Sequence, residues 1–284
     1  MNIILFCLSL TLSIFFLFLS TKQQVSWVRK SFIVYGVIFS ITAISILSIF
    51  IVQHKSAFKQ LVEDTIPVSE NKQHTPTNKR LSEHKIKNEV KIDAPKIQQL
   101  PELPRGCEVT SLSMLLNHYG IQADKMELAK KVKKDPTPYT KKGDEIFFGN
   151  PYNGFVGDMY SFDTPGMGVY HKPIAELATK YAGSKVRDFT GSNFDVIIEE
   201  LNKQHPVWVI INTTYDKLPE SQFTTWNTKS GKIDITMKQH AVLITGYDEK
   251  YIYFNDPLNF ADKAPIDKFK AAWIQMGKQA ITIY

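Results

Sequence analysis

The chain has 284 residues, 43% of them apolar and 22% charged, with a formal net charge of +6. That is enough apolar material for one sizeable domain with extra segments. The charge is mild, spread over lysines and without an aromatic-interleaved basic motif, so it does not point to nucleic acid as a partner.

The first elements are apolar. Ile3 to Leu19 is an uncharged run, and Ser31 to Val52 is a second one. At about 1.5 Å per residue the second is long enough to cross a hydrocarbon core of about 30 Å. The first is nearer the short limit and also resembles the core of a secretory signal, but no Lys or Arg precedes it. Both are expected to be transmembrane helices. Lys22, Arg29 and Lys30 lie between them, which by the positive-inside rule makes that loop cytoplasmic and puts both chain ends outside. Residues 1–53 are therefore expected to be a membrane anchor. The domain that follows is expected at the cell membrane, on its extracytoplasmic side. From 54 to 89 the composition turns to Lys, Glu, Ser, Thr, Asn, His and Pro with sparse large apolar residues, a polar stalk that cannot offset its ordering entropy. A helical continuation near Ala57 to Val62 is expected on pattern.

The domain is expected over 90–284. Val90 to Ile92 reads as a short edge strand. Gln99 to Gly106 is a loop in which Pro101 and Pro104 fix φ and Gly106 lets the backbone turn. Val109, Leu112, Leu115, Leu116 and Tyr119 then recur at helical spacing, so a helix runs from Glu108 to Tyr119 with Cys107 at its N-terminus. Unpaired N–H groups and the helix dipole favour an anion there, which lowers a thiol pKa and is where a nucleophilic cysteine is placed. Of the two cysteines, Cys7 lies in an apolar run, so a disulfide with Cys107 is not expected.

Further helices are predicted over Lys125 to Val132, Lys172 to Tyr181, Phe194 to Lys203 (capped by Ser192 or Asn193) and Ile266 to Met276. Asp135 to Val169, rich in Gly, Pro, Asn and Tyr, reads as long surface loops. Pro206 to Asn212 is a continuous apolar strand buried on both faces. Ala241 to Tyr247 and Tyr251 to Phe254 are two more, and Ala280 to Ile283 closes the chain as a strand. Helices early and an antiparallel meander late give an α+β layout with helices on one side of a sheet.

A thiolate nucleophile needs a base, and the base an orienting acceptor. His118 is about 16 Å from Cys107 along one helix and cannot reach it. His54, His74 and His84 belong to the membrane flank and stalk, and His205 to a helix-to-strand connection. His171 stays open, and His240 stands at the mouth of an apolar strand. A three-residue loop Asp248 to Lys250 sets Tyr247 opposite Tyr251 and, carried along the ladder, Asp256 opposite Val242. Asp256 and His240 are then diagonal neighbours on one face, about 7–8 Å apart at the backbone and within bridging reach. A one-residue change in the loop would put them on opposite faces.

Gln99 through Gly120, with Gly-Cys-Glu-Val-Thr-Ser at its centre, resembles the active-site segment of cysteine-peptidase family thirty-nine (C39). These are the bacteriocin-processing double-glycine peptidases, and the likeness is to their stand-alone exported relatives. The His240-Ala-Val-Leu-Ile-Thr-Gly-Tyr stretch, Asn255-Asp-Pro257, Gly166 to Tyr170 and Trp273 to Gly277 extend it from about Val90 to Tyr284. The resemblance implies a papain-like fold with Cys107 as nucleophile, His240 as general base and acid, and Asp256 orienting the imidazole. It further implies that Gln99, with Gln98 as a near alternative, donates to the oxyanion.

The function it implies is a membrane-anchored cysteine peptidase cleaving peptide bonds outside the cytoplasmic membrane. Acyl transfer or amidase chemistry on cell-wall peptides by the same triad stays open, as does an inactive peptide-binding module. The implied partner is a peptide or protein substrate. No phosphate-binding Gly-rich Lys motif is found, so no nucleotide is expected, and neither a metal nor another cofactor is expected. The fused exporter of the bacteriocin-processing enzymes is missing from the pattern, so double-glycine leader cleavage does not carry over.

Overall fold

The computed structural model describes residues 2–22, 26–53 and 87–284. Contacts divide the chain into Met1–Arg80 and Leu81–Tyr284. The stalk assigned to 54–89 lies, but for its last three exposed residues, outside the described residues, as does the suggested helix over Ala57 to Val62.

In the first unit the apolar runs form α1 (Asn2–Lys22) and α2 (Ser26–Gln53). They pack antiparallel along a seam that includes hydroxyls. Ser9 donates to the Phe39 carbonyl at 2.9 Å, Ser13 to that of Gly36 at 3.0 Å, and Ser13 meets Ser40 at 2.7 Å. Phe16 stacks on Phe39 with ring centroids 5.7 Å apart. The expectation of two transmembrane helices is overturned: among the described residues no helix is long and apolar enough to cross a membrane. Large apolar residues alone suggested spans, but serines interrupt both runs and line the seam, and Arg29 and Lys30 stand near the start of α2.

The second unit holds the α+β domain. In chain order it contains β1 (Val90–Lys91), α3 (Cys107–His118), α4 (Lys125–Lys131), β2 (Lys134–Asp135), β3 (Thr140–Lys142), β4 (Glu145–Phe147) and β5 (Phe155–Val156). Then come α5 (His171–Ala182), β6 (Val186–Asp188), α6 (Phe194–Asn202), β7 (Val207–Asn212), β8 (Thr224–Thr228) and β9 (Gly231–Ile235). The chain closes with β10 (Gln239–Tyr247), β11 (Tyr251–Asn255), β12 (Lys263–Pro265), α7 (Ile266–Gln275) and β13 (Ala280–Ile283). The predicted helices and long strands stand within two residues of these bounds. Asp124 caps α4 by accepting the N–H groups of Met126 and Glu127.

The main sheet runs β12-β11-β10-β7-β13-β6, with β1 added to the end of β10, and every pair in it is antiparallel. Its central strands alternate between two cores. Trp208, Ile210, Ala241, Leu243 and Ile281 face the side of α3 and α5. Val207, Val209, Ile211, Val242 and Ile244 face the side of α6 and α7. Helices thus cover both faces of the sheet rather than one, which is why β7 reads as an unbroken apolar run.

The stretch read as surface loops from Asp135 to Val169 is also different. Phe148, Phe155, Val156, Met159, Met167 and Val169 are buried in it. Its strands β3 and β4 join β8 and β9 in a second sheet through a parallel pairing of Ile146 with Trp226.

The β10–β11 hairpin carries a bulge. Near the turn Tyr247 pairs with Ile252, one position off the expected register. Past a shift between Ile244 and Gly246, Ile244 pairs with Phe254 and Leu243 with Asn255. The ladder at the Asp256 end is therefore in the register that sets Asp256 against Val242.

Candidate active site

Cys107 is the first residue of α3 and is 7% exposed. Gly106 before it has an ordinary φ of −109°. What it supplies is room, since a Cβ there would lie 2.5 Å from Leu103 Cβ. The helix is held against β10 by Ser111, whose hydroxyl donates to the Ala241 carbonyl at 3.0 Å. The sulfur itself lies beside the Ala241 backbone, so Cys107 sits next to the residue that follows His240.

His240 and Asp256 are both buried, at 1% and 0% exposure, and Nε2 of the ring lies 2.8 Å from Oδ1 of the carboxylate. That contact leaves Nδ1 as the ring nitrogen free of the carboxylate. Asp256 is held from several sides. The Leu258 N–H reaches Oδ1 at 2.7 Å, the Phe260 N–H reaches Oδ2 at 3.2 Å, and the Tyr215 hydroxyl donates to Oδ2. Burial pushes this carboxyl up, but the His240 contact and these donors outweigh it and hold it below the ordinary value. The Phe260 ring, itself exposed, lies 6.3 Å from the imidazole, centroid to centroid.

Gln99 is buried, and its backbone N–H donates to the Pro257 carbonyl at 2.9 Å, which ties the loop before α3 to the residue after Asp256. Its side-chain amide is turned inward: Nε2 donates to Leu103 O at 2.9 Å and Pro104 O at 3.0 Å, and Oε1 is buried without a partner. Gln98 is exposed, with its carbonyl held by Lys125 at 2.6 Å.

The remaining domain histidines are engaged elsewhere. Nδ1 of His118 meets the Asp93 carbonyl at 3.1 Å, His171 pairs with Asp188 at 2.5 Å, and His205 pairs with Glu200 at 2.8 Å.

Residues that the sequence did not single out complete the site. Glu108 is fully buried, with Oε2 3.4 Å from Cys107 Sγ and Oε1 accepting the Val169 N–H at 2.8 Å. Gly168 makes this possible: its φ is +154°, and a Cβ there would lie 2.2 Å from Glu108 Oε1 and 2.7 Å from Gln239 Oε1. Gln239 Nε2 is buried with no partner. With its oxygen toward the carboxyl, Gln239 can accept from a protonated Glu108; with the amide turned over, it donates to an ionised one. Burial raises the Glu108 pKa to about 7, against weaker opposition from the hydrogen bonds of Val169, Cys107 and Gln239.

The thiol follows its carboxylate. Burial first, and then the Glu108 charge and hydrogen bond, push Cys107 well above an ordinary thiol, while the Ala241 backbone pulls the other way. The expected lowering by the helix end is reversed here, because the helix start is desolvated and carries a carboxyl in van der Waals reach. Glu108 was legible only as an acidic residue in the first turn of a helix, and Gln239 only as the neighbour of His240. Tyr215, with a φ of +52°, carried no signal.

The sequence pattern of the peptidase C39 like family matches residues 91–281. An uncharacterized protein from Bacillus subtilis strain 168, YvpB, is 46% identical over 184 residues, which span 64% of this chain and 70% of that protein. A crystal structure from Bacillus anthracis, described as that of a C39-like peptidase, superposes with a TM-score of 0.66 at 44% identity. It covers 70% of this chain and 98% of its own. On the family match, which begins in β1 and ends in β13, the chain belongs to the peptidase C39 like family.

Proposed function

We propose that the domain is a cysteine peptidase that cleaves peptide bonds through Cys107, His240 and Asp256. The observation that carries this reading is the buried contact of 2.8 Å between His240 Nε2 and Asp256 Oδ1, one residue from the strand position beside Cys107 Sγ. Asp256, fixed by Tyr215 and two backbone N–H groups, holds the ring so that Nδ1 is the nitrogen that takes and returns a proton.

The resting nucleophile is a thiol, not a preformed thiolate, given the burial and the Glu108 carboxyl beside it. In the first step Sγ bonds to the substrate carbonyl carbon as its proton passes to His240 Nδ1. The oxygen so charged is stabilised by the Cys107 N–H at the open start of α3. Gln99 contributes only if one of its N–H groups leaves Leu103 or Pro104. The C–N bond then breaks, the amine leaves with the proton from Nδ1, and a thioester remains. Water, giving its proton to the same nitrogen, attacks the thioester; the C–S bond breaks and the thiol is restored.

The test is turnover of a diverse peptide mixture by the purified full chain, with intact-mass detection of a thioester adduct on Cys107. Cys107→Ser and His240→Ala are expected to abolish both signals, and Asp256→Asn to lower turnover at least a hundredfold. Cleavage that survives Cys107→Ser would sink the assignment.

A further inference from the structure

A cavity of about 350 Å³ opens between the β3-β4-β8-β9 sheet and the segment that precedes Cys107. That volume lies at the small end of the range for ligand sites, ~300–1,000 Å³, and suits a single large side chain. Its walls are aromatic. Tyr139 meets Phe148 edge-on with ring centroids 5.3 Å apart, and Phe148 meets Trp226 at 5.2 Å. Met237, 66% exposed, forms an adaptable rim. The one charged residue in the lining is Arg105, and its guanidinium is turned away to the carbonyls of Asp158 and Ser161 and the Phe162 ring.

Three segments connect this cavity to the site. Arg105 lines the cavity and Cys107 is two residues on. Gly166 lines it, and Gly168, two residues on, abuts the Glu108 carboxyl. Met237 lines it and His240 is three residues on. Two residues of backbone span at most about 7 Å and three at most about 11 Å. In an extended peptide, side chains on one face are also about 7 Å apart. The cavity therefore stands one or two substrate residues from the reacting sulfur.

We propose that this cavity is a specificity pocket for one large apolar side chain, aromatic or long aliphatic, of a peptide substrate, one or two residues from the scissile bond. This rests on the peptidase reading above. Its walls disfavour an acidic occupant: the one guanidinium in the lining is already committed, and the aromatic faces reward burial of an apolar group.

The test has a binding arm and a cleavage arm, both on the full chain. In the first, Cys107→Ala is titrated calorimetrically with acetylated tripeptide amides that differ at one position, Phe, Leu or Asp. The Phe and Leu peptides are expected to bind at least tenfold more tightly than the Asp peptide. Adding Met237→Glu should erase that preference, and adding Met237→Leu should keep it. In the second arm, the unmodified chain and its Met237→Glu variant digest a peptide mixture, and cleavage positions are read by mass spectrometry. Binding preference without any cleavage upholds the pocket and overturns the peptidase reading. Cleavage with no apolar preference within two residues of the cut, unchanged by Met237→Glu, overturns the pocket and leaves the peptidase reading standing. Neither binding preference nor cleavage overturns both.

Discussion

Replacing Glu108 by Gln isolates the titration of one buried carboxyl beside Cys107. The side chain keeps its shape and its acceptor for the Val169 N–H, held at 2.8 Å, but cannot ionise. In the folded chain Glu108 titrates near 7, against an ordinary glutamate value of 4.5. Below pH 4.5 both folded and unfolded forms are protonated and the carboxyl costs nothing. As pH rises, the unfolded chain ionises first, so stability is lost progressively until the folded carboxyl also ionises near pH 7. About 2.5 pH units at ~1.4 kcal/mol each gives a loss of ~3 kcal/mol, with no solvent screening to reduce it at a fully buried group. Urea unfolding of the wild type and Glu108→Gln at half-unit steps from pH 4 to 8 measures this directly. The variant's stability relative to wild type should rise by ~3 kcal/mol across that range and flatten above pH 7. The same variant removes a charge next to Sγ, so Cys107 should alkylate faster at pH 8 than in the wild type. A stability difference that is constant with pH would show that Glu108 does not titrate in this window, and would refute its raised pKa.

Tyr215→Phe removes the hydroxyl donor to Asp256 and should cost ~1.5–3 kcal/mol, because the bond is buried and charge-assisted. Asp256 titrates below its ordinary value in the fold, so its contribution is lost as pH falls through that depressed value; in Tyr215→Phe, where the depression is weaker, the loss should be smaller and complete at a higher pH, as an acid-unfolding curve would record. Gly168→Ala places a methyl 2.2 Å from Glu108 Oε1 at a φ of +154°, and should lower thermal stability and turnover together, whereas Gly183→Ala, in open space at φ +61°, should lower neither turnover nor substrate affinity. Glu200 is buried but its partners Arg187, Lys203 and His205 stay partly exposed, so Glu200→Ala should cost only ~1 kcal/mol in chemical denaturation, without changing the pH profile of catalysis.

The parts of the site that lie on regular elements were readable before any coordinates. An apolar run that starts at Val109 fixes the helix on which Cys107 stands, and a period-two argument along one hairpin places Asp256 within reach of His240. The expected turn register was wrong by one at Tyr247, yet the bulge beyond it restores the pairing where the carboxylate stands. What escaped was set by contacts distant in sequence. Nothing local to Tyr215 marks it as a donor to a residue 41 positions away. Nor does anything in the Gly- and Pro-rich stretch announce that Ile146 will pair in parallel with Trp226, which makes a loop into the wall of a cavity. The N-terminal runs failed differently. Composition measures how apolar a segment is, but Ser9 and Ser13, which donate to the Phe39 and Gly36 carbonyls of the opposite helix, act through their position on their own.

The irregularity in the β10–β11 ladder also decides where this domain tolerates change. On its other edge β10 pairs with β7 without interruption, from Gln239 opposite Asn212 to Ile244 opposite Val207, so the site end of the strand is anchored independently of the turn. The slip between Ile244 and Gly246 absorbs the mismatch before it reaches Asp256. The turn at Asp248–Lys250 is thus insulated from the His240–Asp256 contact at the far end of its own hairpin. Lengthening that turn, by an epitope or a fluorophore-bearing peptide, would alter the tip and leave the His240–Asp256 contact in place, which makes it the natural handle for tethering or labelling a working molecule.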